Sequence, residues 1–310
     1  MSFALVFPGQ GSQSVGMMNA YGESQIIRDT FAEASEALGQ DLWQMVADGP
    51  AELLSQTVNT QPLMLTAGVA TYREWIAKGG AVPALVAGHS LGEYSALVVA
   101  GAMAFADAVP LVRLRAQAMQ EAVPLGQGAM AALLGLELDV VQAVCAEAAQ
   151  GEVVEPANMN AAGQIVIAGT ATAVARAMYI AKGKGCKRAV QLPVSAPFHC
   201  ALMKPAAERL ASRLADITVN VPQIPVLNNV DVATYAEPAQ IKDALVRQAF
   251  SPVRWIETIQ EIARRGHSHV YECGPGKVLA GMTKRCDGSI AGGALADAAT
   301  LEAALSVLVV

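Results

Sequence analysis

The segment Gly88-His-Ser-Leu-Gly92 limits the possible folds more than any other part of this sequence. An apolar run typical of a buried strand, residues 84–87, precedes it, and residues 93–100 have the pattern of a helix. Gly-x-Ser-x-Gly between a strand and a helix is the pattern of a nucleophile elbow, a strained turn that lifts a serine hydroxyl out of a sheet. We therefore predict that Ser90 is a nucleophile beside the free N–H groups of a helix N-terminus. The alternative is an incidental turn.

Glycines mark the carboxyl ends of two candidate strands. A side chain at Gly88 or Gly92 would collide with the neighbouring strand or helix, which explains why glycine stands at both positions. The first candidate strand, residues 3–7, runs into the loop Pro8-Gly-Gln-Gly-Ser-Gln13. Such a loop either brings backbone N–H groups close to a ligand or is a flexible turn.

Composition excludes several classes of protein. Hydrophobic residues make up 53% of the 310 residues and charged residues 15%, which suits a large α/β core and argues against disorder. The net charge of −6 argues against a nucleic-acid partner. The five cysteines include no Cys-x-x-Cys pair, so we expect a reducing cytoplasm and neither a disulfide framework nor a zinc site.

The sequence predicts no membrane span and no membrane partner. Its most apolar stretch, residues 81–99, is interrupted by Pro83, His89 and Glu93, so we interpret it as a core segment. The first residues lack a basic region and reach Pro8 too early for a signal peptide. A cytoplasmic location is the expectation.

Strands and helices alternate in the outer parts of the chain, which predicts a mainly parallel sheet covered on both faces. The middle part has the order strand–helix–strand–strand–helix–strand, which is that of a ferredoxin-like unit. Its predicted elements are residues 129–136, 140–149, 153–158, 164–168, 172–182 and 188–194. We therefore predict a larger α/β domain formed by residues 1–124 and 195–310, with a ferredoxin-like subdomain inserted at residues 125–194.

The same signals place elements outside this unit. Strands are predicted at residues 225–229 and 269–274, and helices at 26–38, 106–122, 203–214, 241–249 and 255–265, with another from about 278. Proline favours the first turn of a helix, so Thr60-Gln-Pro62 predicts a helix that opens there.

A serine needs a base at neutral pH, and histidine is the usual one. His89 adjoins Ser90, and neighbouring side chains diverge on a sharp turn, so it is a poor base. His267 and His269 form a His-x-His pair with no evident third ligand, which favours a solvated turn over a metal site. His199 follows a strand-like run and is either the base or a loop histidine with other partners.

No acidic residue stands out as the third member of a catalytic triad. In hydrolases the acid follows the nucleophile and precedes the histidine. The acids in that interval lie mostly in predicted helices or in the inserted unit, and they are Asp107, Glu121, Asp139, Glu147, Glu152 and Glu155. An ordinary esterase is therefore disfavoured, and a neutral carbonyl could orient the imidazole instead.

Motifs along nearly the whole chain resemble those of the malonyl-CoA:acyl carrier protein transacylases and of the related acyltransferase domains of polyketide synthases. The matching segments are Phe7-Pro-Gly-Gln-Gly-Ser-Gln13, Gly88-His-Ser-Leu-Gly-Glu93, Arg113-Leu-Arg-Ala-Gln117, Gly128-Ala-Met-Ala-Ala132, Pro197-Phe-His-Cys200, Asn228-Asn-Val-Asp231, Pro252-Val-Arg-Trp255 and Gly274-Pro-Gly-Lys-Val-Leu279. The chain departs from the family pattern at Ser251, where asparagine is frequent, and in residues 160–164, which lack an expected proline. The resemblance implies a hydrolase-like core with an inserted ferredoxin-like subdomain.

The resemblance also implies the catalytic groups. Ser90 is expected to carry the acyl group, and His199 is expected to act as its base. The backbone N–H groups of Gln10 and Leu91 are expected to form the oxyanion hole. The main-chain carbonyl of Gln248 is expected to orient His199, which would explain the missing acid.

The remaining implied residues would bind the substrate. Arg115 is expected to bind the free carboxylate of a malonyl group, because a guanidinium offers a carboxylate a planar pair of donors; the alternative is a helix-surface arginine. Phe198 would crowd a branch at the α-carbon, although one methyl group discriminates by only about 1–3 kcal/mol. Asn160, in the inserted unit, is expected to be a further residue of the site.

The activity implied is a two-step transfer of malonyl from malonyl-CoA to the phosphopantetheine thiol of acyl carrier protein, through a malonyl-serine. We expect a monomer that needs no metal and no cofactor. The alternatives are a serine hydrolase or thioesterase, an acyltransferase for another acyl-CoA, and a non-catalytic protein that holds a carrier protein. An acidic carrier would need a basic patch, and the candidates, each of which could also be a solvated face, are Lys182, Lys184, Lys187 and Arg188, or Lys284 and Arg285.

Overall fold

The computed structural model describes residues 2–308 as an α/β fold with two sheets. The strands are β1 (Phe3–Phe7), β2 (Leu85–Gly88), β3 (Gly128–Leu134), β4 (Val154–Ala161), β5 (Gln164–Thr170), β6 (Arg188–Gln191), β7 (Val226–Leu227), β8 (His269–Cys273) and β9 (Ala291–Leu295). The helices are α1 (Gln25–Leu38), α2 (Leu42–Asp48), α3 (Ala51–Leu54), α4 (Thr57–Ala77), α5 (Gly92–Val99), α6 (Phe105–Glu121), α7 (Leu138–Ala149), α8 (Ala171–Gly183), α9 (Lys204–Ala215), α10 (Pro238–Gln248), α11 (Trp255–Arg264), α12 (Val278–Cys286) and α13 (Ala298–Val307). Within residues 2–308, no helix combines the length and hydropathy that crossing a membrane requires.

The five-stranded sheet is parallel throughout, in the order β7-β2-β1-β8-β9. Its middle strand β1 is buried along its whole length, because helices cover both faces. Phe3, Leu5 and Phe7 pack on one face with residues of α4, α5 and α6. Ala4 and Val6, which alternate with them, pack on the other face with residues of α11 and α12. The predicted parallel sheet with two covered faces is confirmed.

The four-stranded sheet is antiparallel, in the order β4-β5-β3-β6. Helices α7 and α8 cover one face, where Ile165 and Ile167 of β5 are buried. Val166 and Ala168 point to the other face and pack in a cluster with Met119 of α6. All four strands lie between residues 125 and 194 and follow the predicted order. The exact domain boundaries stay a prediction.

Strand β4 also connects the inserted strands to the main domain. The Met159 N–H donates to the Val253 carbonyl at 3.0 Å, and the Val253 N–H donates to the Ala157 carbonyl at 2.9 Å. Close packing holds the start of β3 as well, since a Cβ at Gly128 would lie 2.3 Å from the ring of Pro197. These contacts place β3 and β4 beside the end of β2, and a cleft opens between the two parts.

Several elements differ from the prediction. Helix α4 begins at Thr57 rather than near Thr60, because the Gln56 carbonyl accepts the Asn59 and Thr60 N–H groups and adds a turn before the proline. Strand β6 ends at Gln191 rather than at residue 194. The sequence analysis did not predict helices α2, α3 and α13 or strand β9. Strand β9 has the sequence Ala-Gly-Gly-Ala-Leu, whose residues have a low preference for strands.

Candidate active site

Ser90 lies on a tight turn between β2 and α5, at the carboxyl edge of the parallel sheet. Its φ of 53° is in the left-handed region, which is uncommon for a residue with a side chain. A Cβ at Gly88 would lie 1.9 Å from the Gly92 backbone, and a Cβ at Gly92 would lie 2.1 Å from the Phe7 carbonyl oxygen. The turn therefore requires glycine at both positions, and α5 begins directly behind the serine.

Asn229, which follows β7, fixes this turn with both ends of its amide. Its Oδ1 accepts the Ser90 N–H at 2.7 Å, and its Nδ2 donates to the Gly88 carbonyl at 2.7 Å. Asn229 is fully buried, so water does not compete for these bonds. A strained backbone conformation persists only where surrounding groups stabilise it, and the two hydrogen bonds of Asn229 stabilise this turn.

His199 reaches Ser90 from a segment 109 residues further along the chain, with Nε2 lying 2.6 Å from Ser90 Oγ. Its other ring nitrogen, Nδ1, lies 2.9 Å from the Gln248 carbonyl oxygen. A carbonyl only accepts hydrogen bonds, so Nδ1 carries the proton and Nε2 presents its lone pair to the serine hydroxyl. No acid is needed to fix this tautomer.

Burial keeps the imidazole neutral. It lowers the pKa of His199 to about 3, and the charge of Arg115 contributes in the same direction. His199 is therefore uncharged at neutral pH and is free to accept a proton. The serine–histidine pair is chemically that of a nucleophile and its general base.

Arg115, on α6, is the cation of the site and is only 2% exposed. Its Nη2 lies 3.2 Å from Ser90 Oγ, and its Nη1 donates to Gln61 Oε1 at 2.7 Å. Burial lowers its pKa, but a guanidinium keeps its charge. Within residues 2–308 no carboxylate forms an ion pair with Arg115, so an anion could approach it.

These groups open into a cavity of about 120 Å³. One wall is apolar and is formed by Met119, Met130, Leu192, Val194 and Phe198. Gln10 and Leu91 also line the cavity, and within the described residues neither backbone N–H has an acceptor. The arrangement suits a reaction at a carbonyl carbon, with a nucleophile, a neutral base, unpaired N–H donors and a cation around one space.

The structure brings most of the predicted site residues together around this cavity. Asn160 does not line it, because its Oδ1 is bonded to Nε2 of His89 at 2.8 Å. Asn158, two residues earlier on β4, lines the cavity instead. The His-x-His pair lies just before and at the start of β8, bonded to serine hydroxyls, and no cluster among residues 2–308 could hold a metal ion.

Sequence reasoning missed several residues of the site. Gln61 was interpreted only as part of a helix start, although it bonds to Arg115. Asn229 was part of a matching motif but was assigned no role. The signal for both lies in their burial, since a fully buried amide needs polar partners, and burial is invisible without the fold.

The chain is similar to known acyltransferases over nearly its full length. Residues 4–299 match the family model described as "Acyl transferase domain". The chain is 55% identical over 305 residues to the malonyl CoA-acyl carrier protein transacylase of Salmonella typhimurium, covering 98% of this chain and 99% of that protein. Curated relatives that carry this name confirm the sequence resemblance.

Solved structures agree with these relatives. The acyl-carrier-protein S-malonyltransferase of Burkholderia pseudomallei is 61% identical, with a TM-score of 0.97 over 99% of this chain and 100% of that one. A chain in the structure of a type II polyketide synthase acyl-carrier protein in complex with its malonyl-transacylase is 51% identical, with a TM-score of 0.97 and 99% of each chain covered. From its site geometry, its sequence and its fold, this chain belongs to the acyl transferase family.

Proposed function

We propose that this protein transfers a malonyl group from malonyl-CoA to the phosphopantetheine thiol of acyl carrier protein through a malonyl ester of Ser90. The observation that carries the proposal is the 3.2 Å between Arg115 Nη2 and Ser90 Oγ in the cavity that both side chains line. A cation this close to the nucleophile suits an acyl group that ends in a carboxylate, since charged hydrogen bonds contribute roughly 1.5–3 kcal/mol each.

The first half-reaction forms the acyl-enzyme. Ser90 Oγ bonds to the thioester carbonyl carbon while its proton passes to His199 Nε2. The negative charge that develops on the carbonyl oxygen is stabilised by the N–H groups of Gln10 and Leu91, the proposed oxyanion hole. A single donor of this kind typically contributes about a hundredfold to a thousandfold in rate.

Collapse of this intermediate breaks the carbon–sulfur bond. His199 returns the proton to the sulfur, and coenzyme A leaves. The second half-reaction runs the same steps in reverse, with the carrier's phosphopantetheine thiol as the attacking group. Gln248 holds His199 through its carbonyl during both halves, and Arg115 retains the acyl carboxylate between them.

The apolar wall supports a preference for a short, unbranched acyl group. Phe198 lies beside His199 on this wall, where its ring would meet a methyl branch at the α-carbon. We assign Asn160 an indirect part in the site, because it holds His89 next to the nucleophile.

The partner is proposed to be an acyl carrier protein, and the enzyme is proposed to act as a cytoplasmic monomer without a metal or cofactor. Similarity to the malonyl-transacylase that was solved with its carrier protein supports the partner. Each chemical step above uses only side chains and backbone groups of this chain.

A pulse–chase experiment with isotope-labelled malonyl-CoA distinguishes the proposed transferase from a hydrolase. Protein loaded with malonyl-CoA and freed of excess ligand is mixed with holo carrier protein, with apo carrier protein lacking the thiol as control. We expect the label to move to the holo carrier and to stay on the enzyme with the apo form. Rapid release of free malonate in both samples would favour the hydrolase.

A further inference from the structure

We propose that Glu93 is a positioning residue that acts through the side chain of Gln248 and sets how tightly Arg115 holds an acidic acyl group. The inference rests on the proposed function and adds to it a buried acid that tunes the choice of acyl group. It concerns the Gln248 side chain, whereas the orientation of His199 uses the Gln248 main chain.

Glu93 lies in the first turn of α5, three residues after Ser90, and is 2% exposed. It does not line the reaction cavity. Its Oε2 accepts two hydrogen bonds, one from Gln248 Nε2 at 2.8 Å and one from the Asn229 N–H at 3.0 Å. A buried carboxylate therefore lies behind the elbow and bonds to two residues that themselves contact Ser90.

The Gln248 amide stands between this carboxylate and the guanidinium of Arg115. Its Oε1 accepts from Arg115 Nη2 at 2.9 Å, while its Nε2 donates to Glu93 and also to the Ser90 carbonyl at 3.0 Å. The amide dipole is thus aligned from the carboxylate to the cation, and each bond polarises the next.

This spacing resolves a conflict between charge balance and substrate binding. A buried cation without an opposite charge is costly, and Glu93 is the acid that acts on Arg115 at short range. A direct bidentate pair would occupy the donors that a substrate carboxylate needs. With the amide in between, an ionised Glu93 balances the charge of Arg115, and Arg115 still reaches Ser90 and the cavity.

An acyl carboxylate and an ionised Glu93 would then share one cation. Like charges close together disfavour each other, so ionised Glu93 should weaken the hold on an acidic acyl group. A neutral acyl group such as acetyl has no carboxylate and should be indifferent to the charge on Glu93. A change in the charge of Glu93 should therefore change the selectivity for malonyl over acetyl.

Glu93 changes charge in the neutral range. Burial raises its pKa to about 7, against the opposing effects of Gln248, Asn229 and Arg115. The other titratable or charged groups that face it are Arg115 from α6, Asp231 after β7, Tyr94 from its own helix and Tyr235, which shares a small cavity with it.

None of these neighbours titrates near neutrality. Its bond with Arg247 lowers the pKa of Asp231, and burial raises the pKa of Tyr94 to about 12. The bond to Asp231 raises the pKa of Tyr235. Selectivity for malonyl over acetyl should therefore fall as pH rises through about 7, by about tenfold, as Glu93 ionises.

The test measures the ratio of kcat/KM for acylation by malonyl-CoA and by acetyl-CoA, between about pH 5.5 and about pH 8.5. Titration of His199 and of the coenzyme A phosphates cancels in this ratio. Glu93→Gln is the diagnostic variant, because a single oxygen accepts both bonds and the carboxamide oxygen can replace it. Glu272→Gln is the matched control, since burial also raises the pKa of Glu272 to about 7 but its carboxylate bonds to the start of α12.

We expect the ratio to fall with pH in the wild-type protein and in Glu272→Gln, and to stay at its acid-side value in Glu93→Gln. A wild-type ratio that is flat or rises with pH would overturn the inference, and so would a fall that persists in Glu93→Gln. If Glu93→Gln does not fold, the pH profiles of the wild-type protein and of Glu272→Gln still test the inference. A ratio that falls with pH in the wild-type protein but not in Glu272→Gln would overturn it. Failure of the proposed function looks different, since malonyl would then not pass from the enzyme to the carrier's thiol at any pH.

Discussion

At the residue scale, burial has opposite chemical consequences for the two basic side chains that meet Ser90. It keeps His199 neutral, because an imidazole can release its proton, and it leaves Arg115 charged, because a guanidinium cannot. One space thus holds a free lone pair for the serine proton and a fixed positive charge for an acyl carboxylate. These two roles lead to separate predictions.

Arg115→Ala should lower kcat/KM for malonyl-CoA by about a hundredfold, because the acyl carboxylate loses its charged donors. Unbranched neutral acyl groups should be accepted better than by the wild-type protein. Competition between malonyl-CoA and acetyl-CoA in the acylation step measures both effects. Arg113→Ala is the control, since Arg113 bonds instead to Gln40 and Asn59, and unchanged malonyl preference in Arg115→Ala would refute the assignment.

The neutral state of His199 predicts a dependence of stability on pH. Its folded pKa of about 3 lies below the ordinary value of 6.5, so the folded state binds this proton more weakly than the unfolded state does. The contribution of neutral His199 to the free energy of unfolding is therefore fully present above pH 6.5, and it is lost as pH falls toward 3. Denaturant unfolding measures the difference in the free energy of unfolding between the wild-type protein and His199→Ala. This difference should shrink by up to about 1.4 kcal/mol per pH unit as pH falls through that range. An advantage that does not vary with pH would contradict this account.

At the element scale, the strand–turn–helix unit around Ser90 depends on two positions, Gly88 and Gly92, where the neighbouring backbone leaves no room for a Cβ. Gly88→Ala should lower the free energy of unfolding by about 3 kcal/mol, because overpacking against the Gly92 backbone cannot relax by rotating a side chain. Gly281→Ala, in the exposed part of α12 where a Cβ meets nothing, should raise it by about 0.5–1 kcal/mol. Denaturant unfolding of both variants is the measurement, and equal effects would reject the steric argument.

The elbow also shows what sequence can and cannot predict about this site. The Gly-x-Ser-x-Gly pattern is local, so the turn, Ser90 and the flanking elements follow from adjacent residues. The carbonyl of Gln248 reaches His199, and the amide of Asn229 reaches the turn, through tertiary packing that no local pattern marks. Resemblance to a family supplied the role of Gln248, whereas the roles of Asn229, Gln61 and Glu93 emerge only from burial and distances.

The same distinction applies to the fold. Alternating strands and helices with clear periodicity, such as β1 and α6, were placed almost to the residue. Strand β9 was missed because it is stabilised by pairing with β8 rather than by its own glycine-rich sequence. Local sequence preference predicts an element whose own residues favour its structure. It does not predict an element such as β9, which forms because it pairs with a neighbouring strand.

At the scale of the whole molecule, the cleft between the two sheets gives the inserted strands a part in the site. Met130 of β3 and Asn158 of β4 line the cavity opposite Ser90 and Leu91. The hydrogen bonds between β4 and Val253 flank Asn158 and hold it at this side of the cavity. We propose that a carrier protein approaches along this junction.

One residue of each predicted basic patch, Lys187 and Arg285, lies near the β4–β5 turn. A Cβ at Gly135 would lie 2.8 Å from the Lys187 side chain, and the Gly135 N–H donates to the Gly163 carbonyl at 2.8 Å. On the other side of the same β4–β5 turn, Arg285 Nη2 donates to the Ala162 carbonyl at 2.9 Å. The β4–β5 turn therefore lies between Lys187 of one predicted patch and Arg285 of the other.

Reversing the charge of Lys187 and Arg188 to glutamate should slow malonyl transfer to the carrier by about tenfold and leave acylation by malonyl-CoA unchanged. The control is the same reversal at Lys78 and Arg264, which lie before β2 and β8, at the sheet edge opposite Ser90. Stopped-flow or quenched measurements of each half-reaction separate the effects. Equal slowing of both half-reactions would reject this docking surface.

Intact-protein mass spectrometry after mixing with malonyl-CoA tests most directly for a covalent malonyl group at Ser90. The wild-type protein should gain the mass of one malonyl group, fragmentation should place it on Ser90, and Ser90→Ala should gain nothing. A malonyl adduct on Ser90→Ala, or an unmodified wild-type protein that still transfers malonyl to the carrier, would contradict the account.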